Sequence, residues 1–121
     1  MYMSINVTEN RAVNMLKKDG YVILSRNRRI GGVEIDIMAL RKTSSGNVYY
    51  LIEVKKILNK NYFMGYPPLS FNQIQRYLHA MNALNVKCGK FLDVRFVLML
   101  YDENNKLVEF IENMPFLNKA S

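Results

Sequence analysis

Two apolar runs, "VEIDIMAL" at 33–40 and "VYYLIEV" at 48–54, stand on either side of "TSSGN" at 43–47, and no other feature constrains the fold as strongly. Both are rich in β-branched and aromatic residues. The Ser, Gly and Asn between them suit a turn, so the segment predicts a central hairpin with arms at Val33–Leu40 and Val48–Val54. The arms also carry charge where a strand would normally place core. Asp36 lies among Ile35, Ile37 and Met38, and a carboxylate buried there without a partner is costly. On the second arm Glu53 and Lys55 alternate to one face, with Ile52 and Val54 on the other. The ordinary reading of Glu-x-Lys is a solvated ion pair of little consequence. A turn centred between Ser45 and Gly46 gives it a second meaning. Asp36 then opposes Lys55, Met38 opposes Glu53, and Asp36, Glu53 and Lys55 share one face.

Two carboxylates held close together repel each other unless a cation lies between them. Hard oxygen donors of this kind suit Mg²⁺, with Mn²⁺ as a substitute, and Mg²⁺ also takes phosphate oxygens. Asp36 and Glu53 are the expected metal ligands. Lys55 would orient or help deprotonate a water and add positive charge near phosphorus. The chemistry so assembled is phosphodiester hydrolysis.

The remaining elements follow from periodicity and breakers. A helix is expected from Thr8 to Asp19, with Thr8 as N-cap, Ala12, Val13 and Leu16 facing inward, and Gly20 as the stop. Glu9 would lie in its first turn, at the edge of the inward stripe. It has two readings of similar weight, a third acid for the metal or water and a complement to the helix dipole. A strand at Tyr21–Arg26 would lead into a basic loop at Asn27–Gly32. Glu34 could serve as an auxiliary ligand, although a solvated strand-end acid is preferred. Lys56–Leu69 shows no period and reads as a mobile loop. Ser70 would cap a second helix at Phe71–Leu84, carrying Ile74, Tyr77, Leu78, Met81 and Leu84 at helical spacing. "LDVRFVLMLY" and "LVEFI" complete the chain as two strands around a turn at Asp102–Asn105. The order α-β-β-β-α-β-β predicts an α/β fold, a mixed sheet flanked by helices in one domain, 1–121.

Charge narrows the partners. Lys and Arg number 17 against 10 Asp and Glu, a formal +7, which attracts polyanions and nucleic acid first among them. No apolar run approaches the ~18 residues of a membrane span, and the start lacks the basic and apolar regions of a secretory signal. A cytoplasmic protein with no membrane partner is expected. With Cys88 and His79 each alone of their kind, neither an internal disulfide nor a Cys/His zinc site is available. Arg26, Arg28, Arg29, Lys56 and Lys60 are the candidate DNA-phosphate contacts. Tyr62, Phe63 and Tyr66 could stack on bases or pack beneath a dimer partner.

With Asp36 on one strand and "EVK" at 53–55 on the next, the chain resembles the PD-(D/E)xK nuclease superfamily, with Ile35 standing where that motif often has proline. "QIQRY" at 73–77 resembles a Gln-x-x-x-Tyr helix signature of some branches, which adds Gln73 to the catalytic set and singles out Tyr77. Glu9 falls where several members carry a helical Glu. The resemblance implies a restriction-endonuclease-like sheet. It is similar in order and length to archaeal-type Holliday junction resolvases, homodimers that cut four-way DNA. "GYVILSRNRRIGGVEIDIMAL" and "VYYLIEVKK" look equally like a family of small bacterial proteins of predicted endonuclease type. The implied activity is Mg²⁺-dependent endonucleolytic cleavage of branched DNA. A non-cleaving nucleic-acid-binding module and a nuclease acting on RNA or other DNA structures are the alternatives.

Overall fold

A computed structural model describes residues 2–57, 71–88 and 93–112, with side chains for 7–57, 75–84 and 93–112. The order is α1 (Tyr2–Lys18), β1 (Val22–Ile30), β2 (Val33–Thr43), β3 (Gly46–Lys56), α2 (Phe71–Cys88), β4 (Asp93–Tyr101) and β5 (Leu107–Glu112). It matches the expected α-β-β-β-α-β-β. The five strands lie side by side in chain order. Every pairing is antiparallel except β3 with β4, which run parallel because α2 carries the chain back across the sheet.

Each face of the sheet has its own apolar cluster. Ala12, Val13 and Leu16 of α1 pack on Ile37, Ala39, Tyr50, Ile52, Val97 and Met99. Tyr77, Ala80 and Leu84 of α2 pack on Ile35, Leu51, Phe96, Leu98 and Leu100. β4 is covered on both sides, so "RFVLML" reads as a continuous apolar run without alternation.

Helix α1 begins earlier than its sequence suggests. Thr8 and Glu9 are mid-helix residues, neither a cap nor part of the first turn, and the first turn carries no acid. That removes the dipole reading of Glu9. The beginning was hidden because two inward positions are polar, Thr8 and Glu9 being only 3% and 4% exposed. The end is as expected. The Tyr21 N–H donates to the Leu16 carbonyl and the Gly20 N–H to the Lys17 carbonyl, with Gly20 at φ +93°, a left-handed helix stop.

The basic loop expected at Asn27–Gly32 is instead strand and turn. β1 runs to Ile30, with Arg28 opposite Ile35 and Arg29 opposite Glu34, and only Gly31 and Gly32 turn the chain. Both glycines have positive φ, +59° and +81°, as a tight two-residue hairpin turn requires. A polar edge strand lacks an inward stripe, which is why "SRNRRI" does not look like one.

The β2–β3 register also differs from expectation. Thr43 pairs with Gly46 and Ile37 with Ile52, so the turn is centred between Ser44 and Ser45. The slip is two residues, an even number, so along the paired stretch from Thr43 to Ile37 each side chain keeps its face while its partner changes. Asp36 is thereby brought level with Glu53, where Lys55 was expected.

Candidate active site

Strands β2 and β3 pair regularly from their turn up to Ile37 and Ile52, and the ladder ends there. Beyond that point the Asp36 side chain takes over the bonding role of the backbone. Its Oδ2 accepts the Val54 N–H at 2.9 Å. β2 also rolls over at this residue, since Ile37 packs on the α1 side and Ile35 on the α2 side although residues two apart normally share a face. On the other flank of β2, the ladder with β1 skips Asn27 and Asp36, and Asn27 adopts a left-handed φ of +52°. Asn tolerates that conformation, and such outliers gather at functional sites.

Asp36 and Glu53 therefore meet where the sheet opens, both half-buried. The two carboxyl groups lie within hydrogen-bonding reach of each other. Burial, and then the charge of Glu53, push the Asp36 carboxyl up to about 8, the Val54 N–H draws it partly back, and Glu9 adds a smaller push. Glu53 is held from α2, the Tyr77 hydroxyl donating to its Oε1. Tyr77 is buried with its ring against Phe96, centroids 4.5 Å apart. Burial, followed by the charge of Glu53, raises its hydroxyl well above the ordinary tyrosine value, so it remains a donor. An open cleft of about 620 Å³ lies in front of this pair, walled by Glu34, Arg29 and Gly32 from the β1–β2 hairpin and by Arg76 and Tyr77 from α2.

The other expected site residues are placed as follows. The Glu9 carboxylate is turned to Arg26 Nη2 at 3.0 Å and Asn27 Nδ2 at 3.3 Å. Among the described residues no three His, Cys, Asp or Glu side chains gather closely enough to hold a metal. Glu9 thus neighbours the Asp36–Glu53 pair without completing a three-acid cluster. Lys55 follows Glu53 by two residues on β3, is half-buried, and forms no ion pair with either acid. Gln73 falls one turn before Tyr77 on α2, and its side chain lies outside the described residues, as do Lys60, Tyr62, Phe63 and Tyr66. Of the basic candidates, Arg26 is engaged by Glu9, Arg28 is exposed, and Arg29 walls the cleft while donating to the Gly32 carbonyl at 2.9 Å. Lys56 is half-buried at the end of β3, opposite Tyr101. Asn27 and Arg76 were missed. Arg76 lies inside the quoted "QIQRY", and Asn in a strand next to Arg was the available sign of a left-handed residue.

The donor set suits a hard divalent cation. Two neighbouring carboxyl groups in a half-buried cleft present what Mg²⁺ takes from a protein, one or two carboxylates with the remaining positions left to water and substrate phosphate.

A profile of the family described as Uncharacterised protein family UPF0102 matches residues 8–100, from Thr8 of α1 to the penultimate residue of β4. The chain belongs to the UPF0102 family. It is 34% identical over 119 residues to a UPF0102 protein of Chloroherpeton thalassium, covering 93% of this chain and 88% of that one. A UPF0102 protein of Thermodesulfovibrio yellowstonii is 36% identical over 110 residues, covering 89% and 91%. One of Campylobacter jejuni is 28% identical over 115, covering 95% and 96%. The UPF0102 match contains the whole Asp36, Glu53 and Tyr77 constellation. No helix among the described residues is long and apolar enough to cross a membrane.

Proposed function

We propose that this UPF0102 chain is a divalent-metal-dependent nuclease of PD-(D/E)xK type that hydrolyses phosphodiester bonds in DNA. The observation that carries the reading is the meeting of Asp36 and Glu53 at the splayed end of the hairpin, each held by a separate hydrogen bond. A protein without catalytic demand has little reason to keep two half-buried acids in repulsion. Asp36 and Glu53 would hold Mg²⁺ or Mn²⁺, which when bound supplies charge neutralisation and Lewis-acid polarisation at a phosphoryl group. The chain supplies positioning. Val54 and Tyr77 restrain the two carboxylates, and Arg29 and Arg76 on the cleft wall offer guanidinium groups to flanking phosphates. Lys55 is assigned to the attacking water, which it would orient or relieve of a proton. The resemblance to junction resolvases makes branched DNA the first substrate and a homodimer the assembly to seek.

The test is cleavage of labelled linear duplex, single-stranded, flap and four-way-junction DNA, with an RNA control, in Mg²⁺ or EDTA. Nicking of branched DNA that EDTA abolishes, and that Asp36→Asn and Glu53→Gln abolish without loss of binding, is the expected result. Cutting that survives both substitutions removes the site. Binding without cutting by the parent protein replaces the enzyme with a non-cleaving module.

A further inference from the structure

A second cleft, about 710 Å³, lies on the α1 side of the sheet, between that helix and the β4–β5 turn. Its lining includes three cations, Arg11, Lys18 and Lys106, and no acid. Arg11 and Lys18 are seven residues apart on α1, two helical turns along one stripe, and Lys106 faces them from the turn. All three are exposed, and none takes part in an ion pair among the described residues.

The walls are fixed in place. Thr8 Oγ1 donates to Asn105 Oδ1 at 2.6 Å, tying the turn to α1 across 97 residues of chain. The turn has two acids, an exposed Glu103 and Asp102, which accepts the N–H groups of Asn104 and Lys106 at 2.8 and 3.0 Å and so closes the turn on itself. The Tyr101 hydroxyl reaches the cleft, where its acceptor among the described residues is the Met15 sulfur, a weak one at 4.0 Å. An anion entering here would meet three cations that form no close ion pair among the described residues, Lys106 being attracted also by Asp102, and a hydroxyl able to donate.

Position adds direction. The cleft opens at the end of β4, where Tyr101 lies opposite Lys56, two residues beyond the Val54 that holds Asp36. Asp36 lies level with Leu98, and the β4–β5 turn begins four residues farther along and two to three strands across, about 16–20 Å away, with the first cleft on the α2 side of the sheet and this one on the α1 side. A polyanion held at Asp36 and Glu53 would reach the basic cleft by bending round the end of β3 and β4, past Lys56.

We propose that the Arg11–Lys18–Lys106 cleft is a second backbone-phosphate site, which grips nucleic acid round the end of the sheet from the bond to be cut. The identity of the anion rests on the nuclease reading, and the grip itself does not require cleavage. Arg11→Ala, Lys18→Ala, Lys106→Ala and the triple variant are titrated with fluorescent duplex DNA and duplex RNA in EDTA over a range of salt, with Lys42→Ala as an exposed control far from both clefts. Each single substitution should weaken binding a few-fold and lower the log–log salt slope by about 1, and the triple by about 3, with Lys42→Ala near the parent. Circular dichroism and thermal melting of the triple variant establish that the fold is kept. If the three variants track Lys42→Ala while the parent binds and cuts in Mg²⁺, this second site is refuted and the active site stands. If the triple loses binding while the parent cuts nothing, the second site stands as a nucleic-acid interface and the nuclease reading falls. If the parent binds neither duplex in EDTA at low salt, the proposal is overturned.

Discussion

The two clefts of this molecule are similar in size and opposite in construction. The first contains Glu34, Asp36 and Glu53 with Arg29 and Arg76 as its cations, and its central acids are half-buried and fixed by a backbone N–H and a buried tyrosine. The second has three exposed cations, no acid, and no ion pair among the described residues. The difference teaches what each can do. Holding like charges together takes rigid partners and raises a carboxyl's proton affinity, a repulsion that a bound cation would relieve. Long flexible cations on a helix and a turn need no such support and grip any phosphate chain that passes.

The largest expected effect breaks the first cleft outright. Asp36→Asn or Glu53→Gln should slow cleavage by at least about 10²–10³-fold, measured in single-turnover assays, while the basic cleft still binds DNA. Equal losses of binding and cutting would mean that the two clefts are not separable. Next in size is Gly31→Ala. Gly31 has a φ of +59° and a new Cβ would lie 2.8 Å from the Ala83 Cβ, so the wall contributed by the β1–β2 turn must move off α2. A loss of roughly 2 kcal/mol is expected in denaturant melts, against about 1 for Gly32→Ala, whose Cβ meets open space.

A third test uses pH. Asp36 is raised to about 8 by burial and by Glu53, far above the carboxyl of an unfolded chain. The folded state therefore holds this proton more tightly, and the resulting stability is complete below about pH 4 and lost as pH climbs through about 8. Melting in EDTA should show that decline, Asp36→Asn should flatten it by about 1 kcal/mol or more near pH 8, and Mg²⁺ should restore the parent. A pH profile identical in parent and variant would show that folding does not raise the Asp36 carboxyl. Tyr77→Phe keeps the ring on Phe96 and deletes the bond to Glu53, so we expect roughly 10-fold slower cleavage with near-normal DNA affinity. The smallest effect belongs to the second cleft. Thr8→Val, which frees Asn105 from α1, should cost about 0.5–1.5 kcal/mol in stability and leave cleavage chemistry unchanged.

Much of this was legible without coordinates. The Val33–Thr43 and Gly46–Lys56 hairpin announced itself through β-branched runs and a Ser-rich turn, and α2 through the spacing of Tyr77 and Leu84, because burial of one face imposes a period that a reader can see. The start of α1 was illegible for the converse reason, its inward Thr8 and Glu9 being polar. β1 beyond Arg26 was missed because an exposed edge strand need not alternate.

Residue order was enough to put Asp36 and Glu53 on adjacent arms of one hairpin, since alternation and a short turn are local matters. Which partner each acid found was decided by contacts distant in sequence: a two-residue change of register, the splay that lets Asp36 reach Val54, α2 delivering Tyr77, and α1 meeting Asn105 across the sheet. Local spacing selects a face, whereas long-range packing sets the distances at which charges meet, and electrostatic free energy depends steeply on distance and burial.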